Sequence, residues 1–269
     1  TIRGANRHEH DAVRGKALTY ESMKLDGALL KRANFNAVRC SHYPNSQLWY
    51  ALCDRIGLYV FDEANLETHG FHELDGYPNA ELTRDPQWAA ALLERSMRMA
   101  ERNKNHPCVL AWSLGNEAGF AAAHAAAAAW LRARDPSRLV HYEGGESRTV
   151  ATDVVCPMYA GVPQLREWAS EEVAKPAAAR RPIVVCEYSH AMGNSNGGLD
   201  RYWEAFWERG SGMQGGFIWD WLDQGLLPPE GGVSDGGGSG AACSSGAAGG
   251  AFASPQTFLH GGHFDERPH

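Results

Sequence analysis

The sequence contains no long apolar run, no basic cluster and no paired-cysteine motif, and each absence removes a class of function. A membrane-spanning helix needs about 20 consecutive apolar residues. The alanine-rich stretch 121–129 is far shorter and is interrupted by His124. Lys and Arg number 25 against 32 Asp and Glu, a net charge of −7 with neutral histidines. That balance, without a basic stripe, leaves no electrostatic footprint for nucleic acid or anionic lipid, so neither a nucleic-acid nor a membrane partner is expected. The cysteines at 40, 53, 108, 156, 186 and 243 form no C-x-x-C, and Cys40, Cys156 and Cys186 fall in apolar runs. They read as buried free thiols in a reducing compartment, the cytoplasm. An N-x-[ST] acceptor is missing too, in keeping with that compartment. No G-x-G-x-x-G follows the first strand pattern, which weighs against a dinucleotide-binding sheet.

What is present is an ordinary globular balance, 43% hydrophobic and 21% charged over 269 residues, which excludes disorder over the whole chain. Short β-branched runs at 2–7, 37–41, 58–62, 109–114, 139–142, 154–159, 183–188 and 216–221 read as strands. Helical patterns lie between them. One follows a cap at Thr19, with Leu25, Leu29 and Leu30 as its apolar stripe. A second covers 47–56 and stops at Gly57, and a third, 88–102, follows the cap-and-proline pair Asp85-Pro86. Others are expected at 121–133, 163–173 and 199–208. Strands separated by helices pair in parallel, and eight such units close an α/β (β/α)8 TIM barrel. An open doubly wound sheet is the alternative. The first strand pattern begins at once, so the barrel is expected to be N-terminally truncated at strand 1. The expected division is a barrel over 1–230, a flexible low-complexity loop over 231–255, and a remnant of the barrel's C-terminal segment over 256–269. The loop assignment follows from composition, since Gly, Ala and Ser supply 20 of the 25 residues 231–255.

In a barrel the strand C-termini carry the active site. Polar and aromatic groups collect there: Asn6 to His10, Arg39 to Tyr43, Asp62 to His69, Asn116-Glu117, Met158-Tyr159, Glu187 to His190 and Trp219 to Trp221. Glu117 and Glu187 stand 70 residues apart on the fourth and seventh strand patterns, which a barrel sets across its mouth. Two carboxylates flanking a scissile bond are what glycoside hydrolysis requires: one protonates the leaving oxygen, the other meets the anomeric carbon. Glu67 and His69, two residues apart, face one way in an extended segment and with Glu117 nearby could hold a divalent ion. A plain Glu–His hydrogen bond is the blander account. His8 and His42 are equally readable as satisfied core histidines, and Trp219 and Trp221 as packing residues or a sugar platform. Asp62-Glu63 reads as structural, one of the two orienting its neighbours.

Seven ordered blocks sharpen this: NRHEH (6–10), VRCSHYPN (38–45), DEANLETHG (62–70), SLGNE (113–117), CPMYA (156–160), CEYSHAMGNS (186–195) and GGFIWDWLDQ (215–224). Together they resemble the catalytic barrel of bacterial-type β-galactosidases of glycoside hydrolase family 2, from Thr1 to about Gln224 and weakly again at 261–268. The CPMYA and HAMGNS blocks favour that branch over the glucuronidases and mannosidases. The resemblance implies a retaining enzyme of carbohydrate metabolism that removes terminal β-D-galactose from β-galactosides such as lactose through a covalent galactosyl-enzyme. It implies Glu187 as nucleophile, Glu117 as acid/base and Tyr159 beside the nucleophile. It further implies His8, His42, Asn116, Met158, His190 and Trp219 around the sugar, and Glu67, His69 and Glu117 as Mg²⁺ ligands. A Na⁺ site with ligands outside this chain, and a homo-oligomer when full length, are implied as well. The chain reads as a fragment, inactive when isolated. Its rivals are a non-catalytic relic with at most weak sugar binding, and a metal-dependent hydrolase holding Zn²⁺ on Glu67 and His69.

Overall fold

The computed structural model describes residues 1–71, 79–191 and 196–227. Seven parallel strands form one sheet in the order β5-β4-β3-β2-β1-β7-β6. They are β1 (Ile2–Arg7), β2 (Ala37–Cys40), β3 (Tyr59–Glu63), β4 (Val109–Ser113), β5 (Leu139–His141), β6 (Ile183–Tyr188) and β7 (Met213–Ile218). The first and last strands pair directly, Gly4 opposite Phe217, so the sheet curls round on itself. The eighth position differs from the expectation. Residues 154–159 form no strand and make only isolated parallel bridges, Val155 with Ile183 and Met158 with Glu187. Pro157 has no N–H to give a ladder, and Tyr159 has a φ of 51°. The segment still spans the gap between β5 and β6. Asp153 N–H donates to Val140 O (2.8 Å), and Cys186 N–H and Tyr159 N–H exchange with Pro157 O (3.1 Å) and Glu187 O (2.8 Å).

The helices are α1 (Tyr20–Arg32), α2 (Gln47–Ile56), α3 (Asn79–Arg84), α4 (Ala89–Asn103), α5 (Ala122–Arg134), α6 (Val162–Ala174) and α7 (Leu199–Phe206). Helix α2 begins at Ser46, whose side chain accepts from Leu48 N–H, and ends at Gly57 in the left-handed region. Asp85 caps a single 3-10 turn, Pro86–Trp88, that leads into α4. The stripe expected on α1 is corrected: Met23, Gly27 and Leu30 are buried, whereas Leu25 is 61% exposed. Gly27 admits the close approach of Ile56, which an added Cβ would meet at 2.8 Å, so the helix docks on that face. Helix α3 was not expected from the sequence.

Side chains from nearly every strand meet inside the barrel: Ile2, Ala37, Phe61, Ala111, Val154, Cys156, Val184, Cys186 and Phe217. A second apolar cluster packs α6 and α7 against the outer face of β6. Cys40, Cys53, Cys108, Cys156 and Cys186 are buried free thiols, as expected. Among the described residues, no helix is long and apolar enough to cross a membrane. Among the described residues, Glu9–Thr19 and 223–227 group as a second unit. Within it Asp11 and Gly15 exchange backbone hydrogen bonds, and Leu227 N–H donates to Ala12 O at 2.7 Å. The loop and remnant expected over 231–269 lie outside the described residues, as do Met192 to Ser195 of the HAMGNS block.

Candidate active site

The strand C-termini of this sheet end among polar groups, and one buried guanidinium links those of β1, β3, β4 and β6. Arg39, the third residue of β2, is fully buried. It donates to Glu63 Oε2 and Oε1 (2.7 and 3.0 Å), Glu187 Oε1 (2.7 Å), Asn116 Oδ1 (2.8 Å) and Asn6 Oδ1 (2.9 Å). A charge so enclosed must be paired, because desolvating it unpaired would be prohibitive. Burial alone would lower its pKa, but Glu63 and Glu187 more than reverse this and hold it well above the ordinary arginine value. Glu63 completes the pairing with His42 Nδ1 at 2.8 Å and Ser113 Oγ, which donates at 2.6 Å. Its burial favours the protonated form. Arg39, His42 and Ser113 outweigh that and hold its carboxyl at about 2. The structural reading of Asp62-Glu63 stands, with Asp62 accepting from Tyr50 and Asn103, both at 2.6 Å.

Glu187, next to last in β6, is 3% exposed, and its two oxygens have different donors. Oε1 takes Arg39, and Oε2 takes the hydroxyl of Tyr159 at 2.6 Å. Burial and Glu187 together push the Tyr159 hydroxyl up, so it stays a donor. Glu117 follows β4 in a left-handed conformation, φ 40°. Gly115 makes the preceding turn, with φ 137° and the Leu66 carbonyl where a Cβ would sit. The Glu117 carboxyl is pushed up by burial, Glu187 and Glu67, against the opposing pull of His69 and His42. The charge of Glu187 is thus felt at Glu117.

Asn116 ties this pair to the rest of the rim, donating to Glu67 Oε1 at 3.0 Å while it accepts from Arg39. His69 Nδ1 lies 2.8 Å from Glu117 Oε2. Two carboxylates that repel one another beside an imidazole suit a divalent cation in charge and donor type. As placed, these donors are engaged with protein partners, and among the described residues no three such side chains gather as a ready ligand set. His42 stacks on Trp219 (5.2 Å, 7°), and His8 meets both rings edge-on. Trp219 Nε1 is buried without a hydrogen-bond partner among the described residues. His190 stands edge-on to Tyr159 at 5.4 Å. Met158 is partly buried and packs against the interior cluster below.

Sequence reasoning gave Arg39 no role and missed Glu143. Arg39 was visible as a charged residue inside an apolar strand, which is a signal of buried pairing. Glu143, in the loop after β5, accepts the backbone N–H of Glu117 at 2.6 Å. Burial pushes its carboxyl up to about 7 although Arg39 pulls it down.

With this geometry in place, comparison with known proteins decides the family. The sequence model for "Glycosyl hydrolases family 2, TIM barrel domain" matches residues 1–235. The chain belongs to glycosyl hydrolase family 2. The family 2 barrel is 54% identical over 231 residues to a beta-galactosidase of Yersinia enterocolitica, covering 84% of this chain and 21% of that protein. It is 52% identical over 232 residues to the beta-galactosidase of Pectobacterium atrosepticum, covering 84% and 22%. The chain thus spans about a fifth of the length of these curated relatives. Among solved structures, a beta-galacturonidase of Eisenbergiella tayi aligns with TM-score 0.65 at 20% identity, over 81% of this chain and 43% of that one. A beta-glucuronidase of Ruminococcus gnavus aligns with TM-score 0.65 at 22% identity, over 86% and 45%. These two likenesses establish the fold.

Proposed function

We propose that this barrel is the catalytic domain of a retaining β-galactosidase acting on terminal β-D-galactosides. One observation carries the reading. Glu187 is held by two donors, Arg39 and Tyr159, while Glu117 is pushed toward its protonated form. A nucleophile must be aimed and an acid must keep its proton, so the asymmetry supports this division of roles. Glu187 attacks the anomeric carbon as Glu117 gives its proton to the leaving oxygen. Glu117, now a carboxylate, then takes a proton from water, which attacks the galactosyl-enzyme and frees Glu187. The galactoside preference is supported by the beta-galactosidase relatives. His8, His42, His190, Asn116, Met158 and Trp219 would line the sugar, Trp219 with an indole N–H still to be satisfied.

Glu67, His69 and Glu117 would hold Mg²⁺, which when bound supplies positive charge beside the acid/base. A Na⁺ site with ligands outside this chain is supported by the resemblance alone. Assembly as a homo-oligomer is supported by the resemblance alone. The buried free thiols support a reducing, cytoplasmic setting.

The test is a 2-deoxy-2-fluoro β-galactoside, whose slow hydrolysis accumulates the covalent intermediate. Peptide mapping should place the label on Glu187. In Glu117→Gly, azide should restore turnover of a nitrophenyl galactoside and give the β-galactosyl azide. A label elsewhere, or an α-azide, overturns the roles.

A further inference from the structure

The loop carrying Glu117 is clasped from two sides. From β3's loop, Leu66 O accepts from Asn116 N–H at 2.8 Å, and Thr68 Oγ1 donates to Glu117 O at 3.4 Å. From β5's loop, the Tyr142 hydroxyl donates to Gly119 O at 2.5 Å. A Cβ on Gly144 would sit 2.4 Å from that same carbonyl, so the two loops are in backbone contact. Thr83 of α3 adds a donor to Ala118 O at 2.9 Å. Between these anchors stands Glu117 with φ 40°, a left-handed conformation that residues other than glycine seldom adopt. Its own N–H is the remaining handle, and that N–H is donated to Glu143 Oε1 at 2.6 Å. The other oxygen, Glu143 Oε2, is buried without a partner among the described residues. Glu143 thus commits one oxygen to the backbone of Glu117 and leaves the other uncompensated.

We propose that Glu143 is a positioning residue for the acid/base, its carboxyl oxygen gripping the N–H of Glu117 so that the Glu117 side chain is aimed at the leaving-group oxygen. The inference rests on the acid/base reading of Glu117. The grip needs an acceptor at a fixed reach, and it needs no charge. Its loss should therefore harm proton delivery more than sugar binding or nucleophilic attack. Misplacing a catalytic group by about 1 Å costs on the order of 100-fold. That loss falls on substrates whose departure needs protonation. A leaving group that departs as a stable anion needs little help.

The experiment uses Glu143→Gln, which keeps the acceptor at full length, and Glu143→Asp, which keeps the charge but withdraws the oxygen by one methylene. Both are made in the protein as it is naturally produced, and kcat/KM is measured on methyl β-galactoside and on dinitrophenyl β-galactoside. Glu143→Asp should lose about 100-fold on the methyl glycoside and less than about 5-fold on the dinitrophenyl glycoside. Glu143→Gln should stay within about 5-fold of the parent on both. Equal losses on both substrates, or a worse loss in Gln than in Asp, would overturn the proposal in favour of a structural or electrostatic role. Glu117→Gly, run alongside, separates this from failure of the parent reading. If its loss is not concentrated on the methyl glycoside, the acid/base assignment is at fault. If it is so concentrated and Glu143→Asp is not, Glu143 is not the positioning group.

Discussion

Arg39 and Glu63 form a two-pronged ion pair sealed from water, Nε to Oε2 at 2.7 Å and Nη2 to Oε1 at 3.0 Å. The pair fixes the plane of the guanidinium, and the same plane presents donors to Glu187 and Asn116. Two groups of the rim, the proposed nucleophile and the asparagine beside the acid/base, are thus aimed by one rigid fork. Glu63 never needs to touch a substrate to matter.

Glu63→Gln should destabilise the fold by about 3–5 kcal/mol, because the Arg39 charge then stays buried with only Glu187 to balance it. Denaturant unfolding of the variant against the parent measures this. A loss under about 1 kcal/mol would mean that water reaches Arg39.

Acid and neutral limbs of stability should have separate owners. Glu63, held at about 2 against an ordinary 4.5, contributes stability that is present above pH 4.5 and is lost as pH falls toward 2. Asp62 has the opposite sign. Burial raises it from 3.8 to about 6, so its contribution is full below pH 3.8 and is lost as pH rises through 6. Melting temperature should rise modestly on acidification from pH 7.5 to 5 and fall below pH 4.5. Glu143, raised to about 7, shares the first limb with Asp62, so Asp62→Asn should lessen that limb without abolishing it, and Glu63→Gln should flatten the second. A parent profile that falls steadily from pH 7.5 would refute the assignment.

Tyr159→Phe removes the donor to Glu187 Oε2 and leaves Arg39 as its remaining holder. By analogy with loss of one preorganised donor, kcat should fall on the order of 100-fold, with folding intact because the ring is 40% exposed. Steady-state kinetics with a nitrophenyl galactoside, beside a circular dichroism melt, decide it. Parallel losses of kcat and melting temperature would make the hydroxyl structural.

Seven of the strands, the cap at Asp85, the stop at Gly57 and the rim carboxylates were legible because each depends on neighbours within a few residues. The failures are long-range or geometric. Leu25 fits a helical stripe by type, yet α1 docks on Gly27, where Ile56 comes close. Residues 154–159 look like a strand until Pro157 removes a donor and Tyr159 turns left-handed. The bond from Arg39 to Glu187 spans 148 residues, and that from Glu143 to Glu117 depends on two loops meeting, so neither has a local signature. Resemblance to a family supplied Tyr159 and Asn116, but passed over Arg39 and Glu143, which act through other residues.

Glu67 and His69 should act through a cation. Chelation should lower activity of the naturally produced protein, and Mg²⁺ should restore it. Glu67→Gln should raise the Mg²⁺ concentration needed for half-activity by about 10–100-fold, the usual cost of weakening a ligand shell. Isothermal titration with Mg²⁺ alone gives a second readout. Unchanged Mg²⁺ dependence in the variant would leave Glu67 as the partner of Asn116 and nothing more.

Gly115 should prove the least replaceable residue of the Asn116-Glu117 turn. Its φ is 137°, and a Cβ there would lie 2.4 Å from Leu66 O, the carbonyl that accepts from Asn116 N–H. Alanine must push that carbonyl away, and both Asn116 and Glu117 move with it. The strain should cost about 1–3 kcal/mol. Displacement of two rim groups at once should lower kcat/KM on the order of 100-fold on dinitrophenyl and methyl galactosides alike. That even loss contrasts with the leaving-group bias expected of Glu143→Asp. Gly57→Ala is the matched control: φ is 70°, nothing lies within 4 Å of the added Cβ, and the residue ends α2 away from the rim. It should cost about 1 kcal/mol of stability and leave kcat/KM unchanged. If Gly115→Ala behaves like Gly57→Ala, the turn relaxes freely and the placement of Glu117 does not depend on Leu66.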